Sequence, residues 1–353
     1  MLELINGQIN PYVGVVEGFY WPTGDAVNGQ SGSYSATQRN QLIQLLASNG
    51  LGVYWYAAQP PVDTMALWSA AELAQWTKTQ SFATQVGVKL VYGLRPGWLG
   101  TDYSAIVTRL TQIQSAGIRF YSLNFDDAEG VQTSQQQTRE VQLVSYLNTT
   151  LPNMKLWGLT PSYYYQETTR TAWNTNLQTI DGIASTVPMI FTGETITPST
   201  FSSAQFPTLS SGRSKVFWDN WIAVDTSARI PWGMISGRTQ NNIFTSPYGY
   251  ILNLAYPLER VVHHIYCLGK LSAAAGSSPT LPSCSVPQAA AYWASWLSYN
   301  GFLHSSTQTV ATVTSGLSTA ISADAYYTNI AQFESANPSL SGQAFIFLQR
   351  HRA

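Results

Sequence analysis

Charge is what this sequence has least of. Its 17 Lys or Arg and 18 Asp or Glu make up 10% of 353 residues and leave a net charge of −1. An ordinary soluble domain carries about 25%. Without a basic excess there is no long-range attraction for phosphates, which argues against a general nucleic-acid binder. Cysteine is nearly absent too. Cys267 and Cys284 are the only two, too few for a disulfide framework or a Cys-rich metal site; two buried thiols are expected, with one bridge between them as the alternative. No apolar run reaches the roughly 20 residues of a membrane span. The first residues, MLELINGQIN, hold no basic stretch followed by an apolar one. No signal peptide is visible, and a cytoplasmic or particle-associated protein is expected. Neither a G-x-G-x-x-G turn after the first strand nor a P-loop is present, so nucleotide folds lose support.

What fills the space is aromatic and neutral. Hydrophobic residues are 44% and aromatics 13%, with 12 Trp and 20 Tyr. Roughly a third of the chain is Ser, Thr, Asn or Gln, so amides and hydroxyls stand where ions usually do. Such a chain can bury a large core and is not disordered.

Eight short apolar runs have strand character: Val13–Phe19, Gly52–Ala57, Val88–Leu94, Arg119–Phe125, Lys155–Thr160, Pro188–Thr192, Lys215–Trp218 and Gly249–Asn253. Each is rich in β-branched or aromatic residues. Amphipathic stretches lie between them. Thr37–Ser48, Ser104–Ala116 and Ser134–Leu147 show helical spacing and start at Ser or Thr, expected as N-caps. Alternating strand and helix implies a parallel sheet with helices outside. Eight units over about 260 residues predict an α/β fold, a (β/α)8 TIM barrel, over residues 1–272. An open doubly wound sheet is the runner-up. A Gly-, Ser- and Pro-rich linker is expected at 273–287 and a helical extension at 288–353, with helices over Gln288–Leu303, Thr307–Ile321 and Ala323–Ser335.

Barrel active sites lie at the C-terminal ends of the strands. Glu17, Asp126, Asp127, Asp219 and Asp225 fall there, in a chain poor in acids. Trp55, Trp98, Trp157, Trp218 and Trp221 share the region with Tyr20 and Tyr163, Tyr164 and Tyr165. Aromatic faces beside carboxylates and amides suit a sugar, whose C–H face stacks and whose hydroxyls hydrogen-bond. The strongest signal is Asn124-Phe125-Asp126-Asp127. Adjacent carboxylates repel, so one holds a proton near neutral pH, as a glycosidase acid requires. The plainer alternative is a strand-end turn or helix cap. Glu17 has the same two readings: it faces a sugar, or it pairs with a buried Arg or caps a helix. The pair His263-His264, with Glu259 and Cys267 each four residues from His263, has no recognised zinc spacing and reads as a packed pair.

Five motifs in order carry a resemblance: Gly14-Val15-Val16-Glu17-Gly18-Phe19-Tyr20, Tyr54-Trp55-Tyr56-Ala57, Tyr92-Gly93-Leu94-Arg95-Pro96-Gly97, Phe125-Asp126-Asp127, and Trp218-Asp219-Asn220 followed by Asp225. Across residues 12–270 the chain resembles the catalytic barrel of glycoside hydrolase family 84, the β-N-acetylglucosaminidases that include protein O-GlcNAcases. The resemblance implies a retaining exo-β-N-acetylhexosaminidase that needs no metal or cofactor and whose substrate supplies its own nucleophile. It implies Asp126 and Asp127 as the catalytic pair. It also implies sugar contacts from Gly18, Gln59, Tyr164, Trp218, Asn220, Asp225 and Asn253. The expected partner is an N-acetylhexosamine-containing glycan, with no nucleic acid and no membrane. Two departures bear on substrate identity: Gln59 stands where the family has a sugar-binding Lys, and bulky Trp21 stands where it has Gly. A non-catalytic glycan-binding or structural barrel, for instance in a phage particle, and an endo-acting depolymerase are the competing readings.

Overall fold

The protein is described by a computed structural model. It covers residues 10–18, 34–57, 65–97, 102–126, 134–184, 186–209, 212–223, 233, 235, 238–239, 241–245, 247–255, 258–275, 284–303, 308–323, 332 and 335–340. Eight parallel strands close into a barrel in sequence order: β1 (Asn10–Glu17), β2 (Leu51–Tyr56), β3 (Lys89–Leu94), β4 (Phe120–Asn124), β5 (Lys155–Thr160), β6 (Met189–Phe191), β7 (Lys215–Asp219) and β8 (Tyr248–Asn253). Closure is made by β1 on β8, where Val13 to Val16 pair with Tyr250 to Asn253. The α/β barrel expectation holds, and each strand lies within a few residues of its expected run.

The helices are α1 (Ala36–Ser48), α2 (Ala70–Gln85), α3 (Ser104–Ser115), α4 (Ser134–Thr150), α5 (Arg170–Asn176), α6 (Val262–Ala274), α7 (Val286–Tyr299) and α8 (Val310–Ala323). The helix starts differ from expectation, and Ser134 is the first residue of α4 instead of the cap before it. α1 is capped by Ser35, whose hydroxyl accepts from the Gln38 N–H while the Gln38 side chain accepts from the Ser35 N–H, a reciprocal capping box. Thr37 is therefore inside the helix. At α3 it is the Asp102 carboxylate that accepts from the Ser104 N–H at 2.9 Å. α6 runs to Ala274 and α7 starts at Val286 with Pro at its first turn, so the segment between them is shorter than 273–287. Proline costs nothing there, since no intrahelical donor is lost. The third C-terminal helix expected at Ala323–Ser335 falls mostly outside the described residues. Both cysteines are free; Cys267 is buried as expected, but Cys284 is only half-buried. Among the described residues no helix is long and apolar enough to cross a membrane.

Side chains alternate across each strand, so one set fills the barrel and the other meets the helices. The outer set belongs to one large core with the apolar faces of α1, α3, α4 and α6. The inner set is a separate small cluster of Val16, Val53, Trp55, Ala57, Val91, Trp157, Ile190, Val216, Trp218 and Ile251. Trp157 joins it at a register shift, where Tyr121 and Ser122 of β4 pair with Leu156 and Gly158 and skip the residue between. Such a bulge re-aims one side chain. Three indoles thus meet inside the barrel, with ring centroids 4.8 Å apart for Trp55–Trp218 and 5.7 Å for Trp55–Trp157.

Candidate active site

Alternation also sorts the strand-end acids. Phe125 and Leu94 belong to the outer core, so Asn124, Asp126, Gly93 and Arg95 take the inward phase. By the same parity Glu17 and Asp219 point outward, while Gly18, Trp218 and Asn220 point in.

The outward acids are tied into the scaffold. Glu17 is fully buried. Its carboxylate accepts from Arg39 Nη2 at 2.9 Å, Arg39 Nε at 3.1 Å, the Tyr34 N–H at 3.0 Å and the Tyr54 hydroxyl. Burial alone would lower the Arg39 pKa, but Glu17, Tyr54 and Tyr56 outweigh it and the net shift is upward. The structural reading of Glu17 is the correct one: it links β1 to β2 and to the start of α1. Asp219 accepts from Arg238 at 3.1 Å, from the Trp221 N–H at 2.8 Å and from the Tyr250 hydroxyl. Burial raises its pKa, with Arg238 and the Tyr250 bond pulling the other way.

The inward residues make the site. Asp126, at the end of β4, is buried and bound to Arg95 at the end of β3, Nη2 to Oδ2 at 2.5 Å. Pairing with a guanidinium is the arrangement that keeps a buried carboxylate charged. Asn124, one inward step below, is 1% exposed, and neither atom of its amide has a partner among the described residues. It lies against Gly93: a Cβ on Gly93 would stand 3.1 Å from Asn124 Nδ2 and 2.7 Å from Trp55 Nε1. Only a glycine lets these two donors approach one spot.

Across the barrel, Asn253 Nδ2 donates to Asn220 Oδ1 at 2.9 Å, and Asn220 Nδ2 donates to the Ile196 carbonyl at 3.0 Å. Gly18 closes this side. A Cβ there would fall 2.6 Å from Asn253 Oδ1 and 3.2 Å from Trp218 Cζ2. Gly18, Trp218, Asn220 and Asn253 are therefore brought together. Tyr164 is 7% exposed and sits edge-on to Tyr165 at 5.0 Å; its carbonyl accepts from the Thr192 N–H at 3.0 Å. Asp127, Gln59, Asp225 and the variant Trp21 lie outside the described residues. The indole N–H groups of Trp55, Trp157 and Trp218 are buried without partners among the described residues. A cluster of unpaired donors on the same inward face as an ion-paired carboxylate is unusual in a core and has the chemistry to receive a polar ligand.

Sequence reasoning assigned no role to Asn124 or Arg95, although both stood inside quoted motifs. The strand parity of Asp126 was the available signal: it puts Asn124 two residues earlier on the same face. Among the described residues no group of three His, Cys, Asp or Glu is placed to hold a metal ion. His263 and His264 are fully buried, with the His263 ring stacked on Trp293 at 4.4 Å.

Behind β5 lies one titratable group that the site does not use. Glu140 on α4 is fully buried, and burial pushes its pKa up to about 7. Ser162 and Gln136 oppose the rise without closing full hydrogen bonds to the carboxylate. Its folded pKa lies above the unfolded value near 4.5. The folded state therefore keeps a proton that the unfolded state releases, and stability falls as pH rises from about 4.5 to 7. Glu140→Gln is expected to flatten this slope and stabilise the fold above pH 7 by on the order of 3 kcal/mol. Denaturation midpoints at pH 5 and pH 8 check it; parallel pH dependences for variant and wild type would refute it.

The family model described as NAGidase, beta-N-acetylglucosaminidase, matches residues 13–260. That span holds all eight strands after the first residues of β1 and every site residue named above. No similar protein is found among curated ones. With the match covering most of the chain and all but the first residues of the closed barrel, the protein belongs to the β-N-acetylglucosaminidases of glycoside hydrolase family 84.

Proposed function

We propose that the protein is a retaining exo-β-N-acetylglucosaminidase that works by substrate assistance. The observation that carries this reading is Asp126, a buried acid at the end of β4 paired to Arg95, beside a wall of neutral donors in a barrel of this family. Adjacent aspartates can divide the labour because one stays ionised and the other protonated.

In the first step the acetamido carbonyl oxygen of the sugar attacks its own anomeric carbon. The C1–O bond to the leaving group breaks, and its electron pair goes to the leaving oxygen, which takes a proton from Asp127. The Asp126 carboxylate accepts the acetamido N–H, which increases the carbonyl's nucleophilicity and offsets the positive charge of the forming oxazoline. In the second step Asp127, now ionised, removes a proton from water. The water oxygen bonds to C1, the oxazoline C1–O bond breaks and the acetamide is restored. Two inversions give net retention.

The remaining residues hold the sugar. Trp218 and Gly18 bound the acetamide side, where only a residue without Cβ fits against Asn253 and Trp218. Asn220, oriented by Asn253 and by the Ile196 carbonyl, presents an amide to the same region. Tyr164 positions the oxazoline. Asp225 holds the 4- and 6-hydroxyls, which blocks a chain continuing from O4 and makes cleavage exo. Gln59 supplies a neutral hydrogen-bond donor where the family has Lys.

The test is turnover of an aryl β-N-acetylglucosaminide with the first product read by NMR. The β-anomer of N-acetylglucosamine should appear before mutarotation. The N-trifluoroacetyl analogue, with a weaker acyl nucleophile, should react far more slowly. An α-anomer, or equal rates for the two acyl groups, would sink the mechanism. Binding of N-acetylglucosamine with no turnover would favour the non-catalytic barrel, and oligosaccharide products from a longer chain would favour endo action.

A further inference from the structure

On the flank of the barrel the outer helices enclose a cavity that shares no residue with the strand-end site. This cavity of about 270 Å³ sits where α1, α2 and α7 meet. On α1 it is lined by Thr37, Asn40, Gln41 and Gln44, a stripe at i, i+3, i+4 and i+7 that faces away from the barrel. The opposite stripe of α1, Leu42, Ile43 and Leu46, is buried in the core. A helix face turned to solvent normally carries charges. This one carries only amides and a hydroxyl.

The other walls are aromatic. Trp296 and Phe82 form the apolar side, and Tyr299 stands at the edge, 79% exposed and the most exposed of the large hydrophobic side chains described. The amides are held in place. Gln41 Nε2 donates to Asn300 Oδ1 at 2.9 Å, and Asn300 Nδ2 donates to the Trp296 carbonyl at 2.8 Å. Asn40 Oδ1 is shielded from solvent yet has no hydrogen-bond partner among the described residues. Stranding an acceptor costs free energy unless something donates to it.

We propose that this cavity binds a neutral glycan, such as a run of N-acetylglucosamine units, by stacking a sugar face on Tyr299 and Trp296 and bonding its hydroxyls to Asn40, Gln41 and Gln44. Three observations select this occupant. No lining residue carries a charge at neutral pH, which suits an uncharged ligand and gives no hold on a phosphate or an acidic peptide. Aromatic faces with fixed amides match the two-sided polarity of a pyranose. The volume is near the low end for a small-molecule site and fits one or two sugar rings. The inference shares a ligand class with the proposed activity but none of its residues. A polymeric substrate held here would raise its local concentration at the strand-end site.

The experiment uses the full chain carrying 5-fluorotryptophan, with Asp127→Asn to prevent hydrolysis, titrated with tri-N-acetylchitotriose. Trp296→Phe assigns the Trp296 fluorine signal. That signal should shift and saturate, and Tyr299→Ala should weaken the fitted affinity about tenfold. In the otherwise wild-type chain, Tyr299→Ala should leave kcat/KM on an aryl monosaccharide within about twofold, since the residue is far exposed and outside the strand-end site. Shifts at Trp218 without any at Trp296, or a Trp296 shift indifferent to Tyr299→Ala, would overturn the proposal. A wild-type chain that hydrolyses nothing would refute the catalytic reading and leave a Tyr299-dependent Trp296 shift standing.

Discussion

Asp126→Asn is expected to lower kcat on an aryl β-N-acetylglucosaminide by about 10²- to 10⁴-fold with a much smaller change in KM. In the proposed mechanism the carboxylate accepts the acetamido N–H most strongly when positive charge builds on the oxazoline, so its loss falls on the transition state. It also leaves Arg95, whose side chain is only 10% exposed, facing a neutral amide. Arg95 contributes through this partner. Arg95→Ala should therefore reproduce part of the loss, on the order of tenfold or more, and Arg95→Lys should recover part of that, because a lysine keeps the charge without the fork. Asp127→Asn should cost a similar factor with a different signature. Its defect should shrink as the leaving group becomes more acidic, since a good leaving group needs no proton, whereas the Asp126→Asn defect should not. Steady-state rates on a series of aryl leaving groups check both. A near-wild-type kcat for Asp126→Asn, or two variants with the same leaving-group dependence, would contradict the division of roles.

The second large effect is on stability. Glu17→Ala should destabilise the fold by about 3–5 kcal/mol, the range for breaking one side of a buried pair. The Arg39 guanidinium would remain over the adjoining Tyr56 and Trp76 rings, 4.8 Å from the centre of each, with no counter-charge. The Tyr54 hydroxyl and the Tyr34 N–H would each lose an acceptor. Glu17→Gln keeps one acceptor and should cost less, about 1–3 kcal/mol. Urea midpoints at unchanged m-value check both. If Glu17→Ala instead abolished turnover with the midpoint unmoved, Glu17 would be facing the sugar after all.

Glu17 shows why part of the site could be read from the sequence and part could not. Strand positions were legible because a buried parallel strand is a short β-branched or aromatic run, and eight recurred at regular spacing. Motif order then singled out Asp126. Which way each strand-end acid points was also there in the period-two alternation, once Val16 and Trp218 are recognised as barrel-filling. The partner of an inward acid was not legible. Arg95 is 31 residues from Asp126, and nothing local distinguishes it from the other arginines. Trp157 enters the barrel by a register shift between β4 and β5, a property of two strands together. The helix caps failed for a related reason: Ser35, Thr37 and Ser104 all look eligible, and the choice is made by Tyr34 anchoring to Glu17 and by Asp102 reaching the Ser104 N–H.

The contact of Gly18 with Asn253, where β1 meets β8, has a consequence for how the protein comes into being. These residues lie at the two ends of the barrel sequence, so one wall of the proposed sugar pocket is made of the first strand and the last. Contacts of such sequence separation are the slowest to form, and as the chain leaves the ribosome β8 is the last strand to arrive. A nascent chain bearing β1 through β7 already has Asp126 and Arg95 but has no Asn253 to hold Asn220. Recognition of sugar should therefore appear abruptly with barrel closure, which makes ligand binding a reporter of the final folding step.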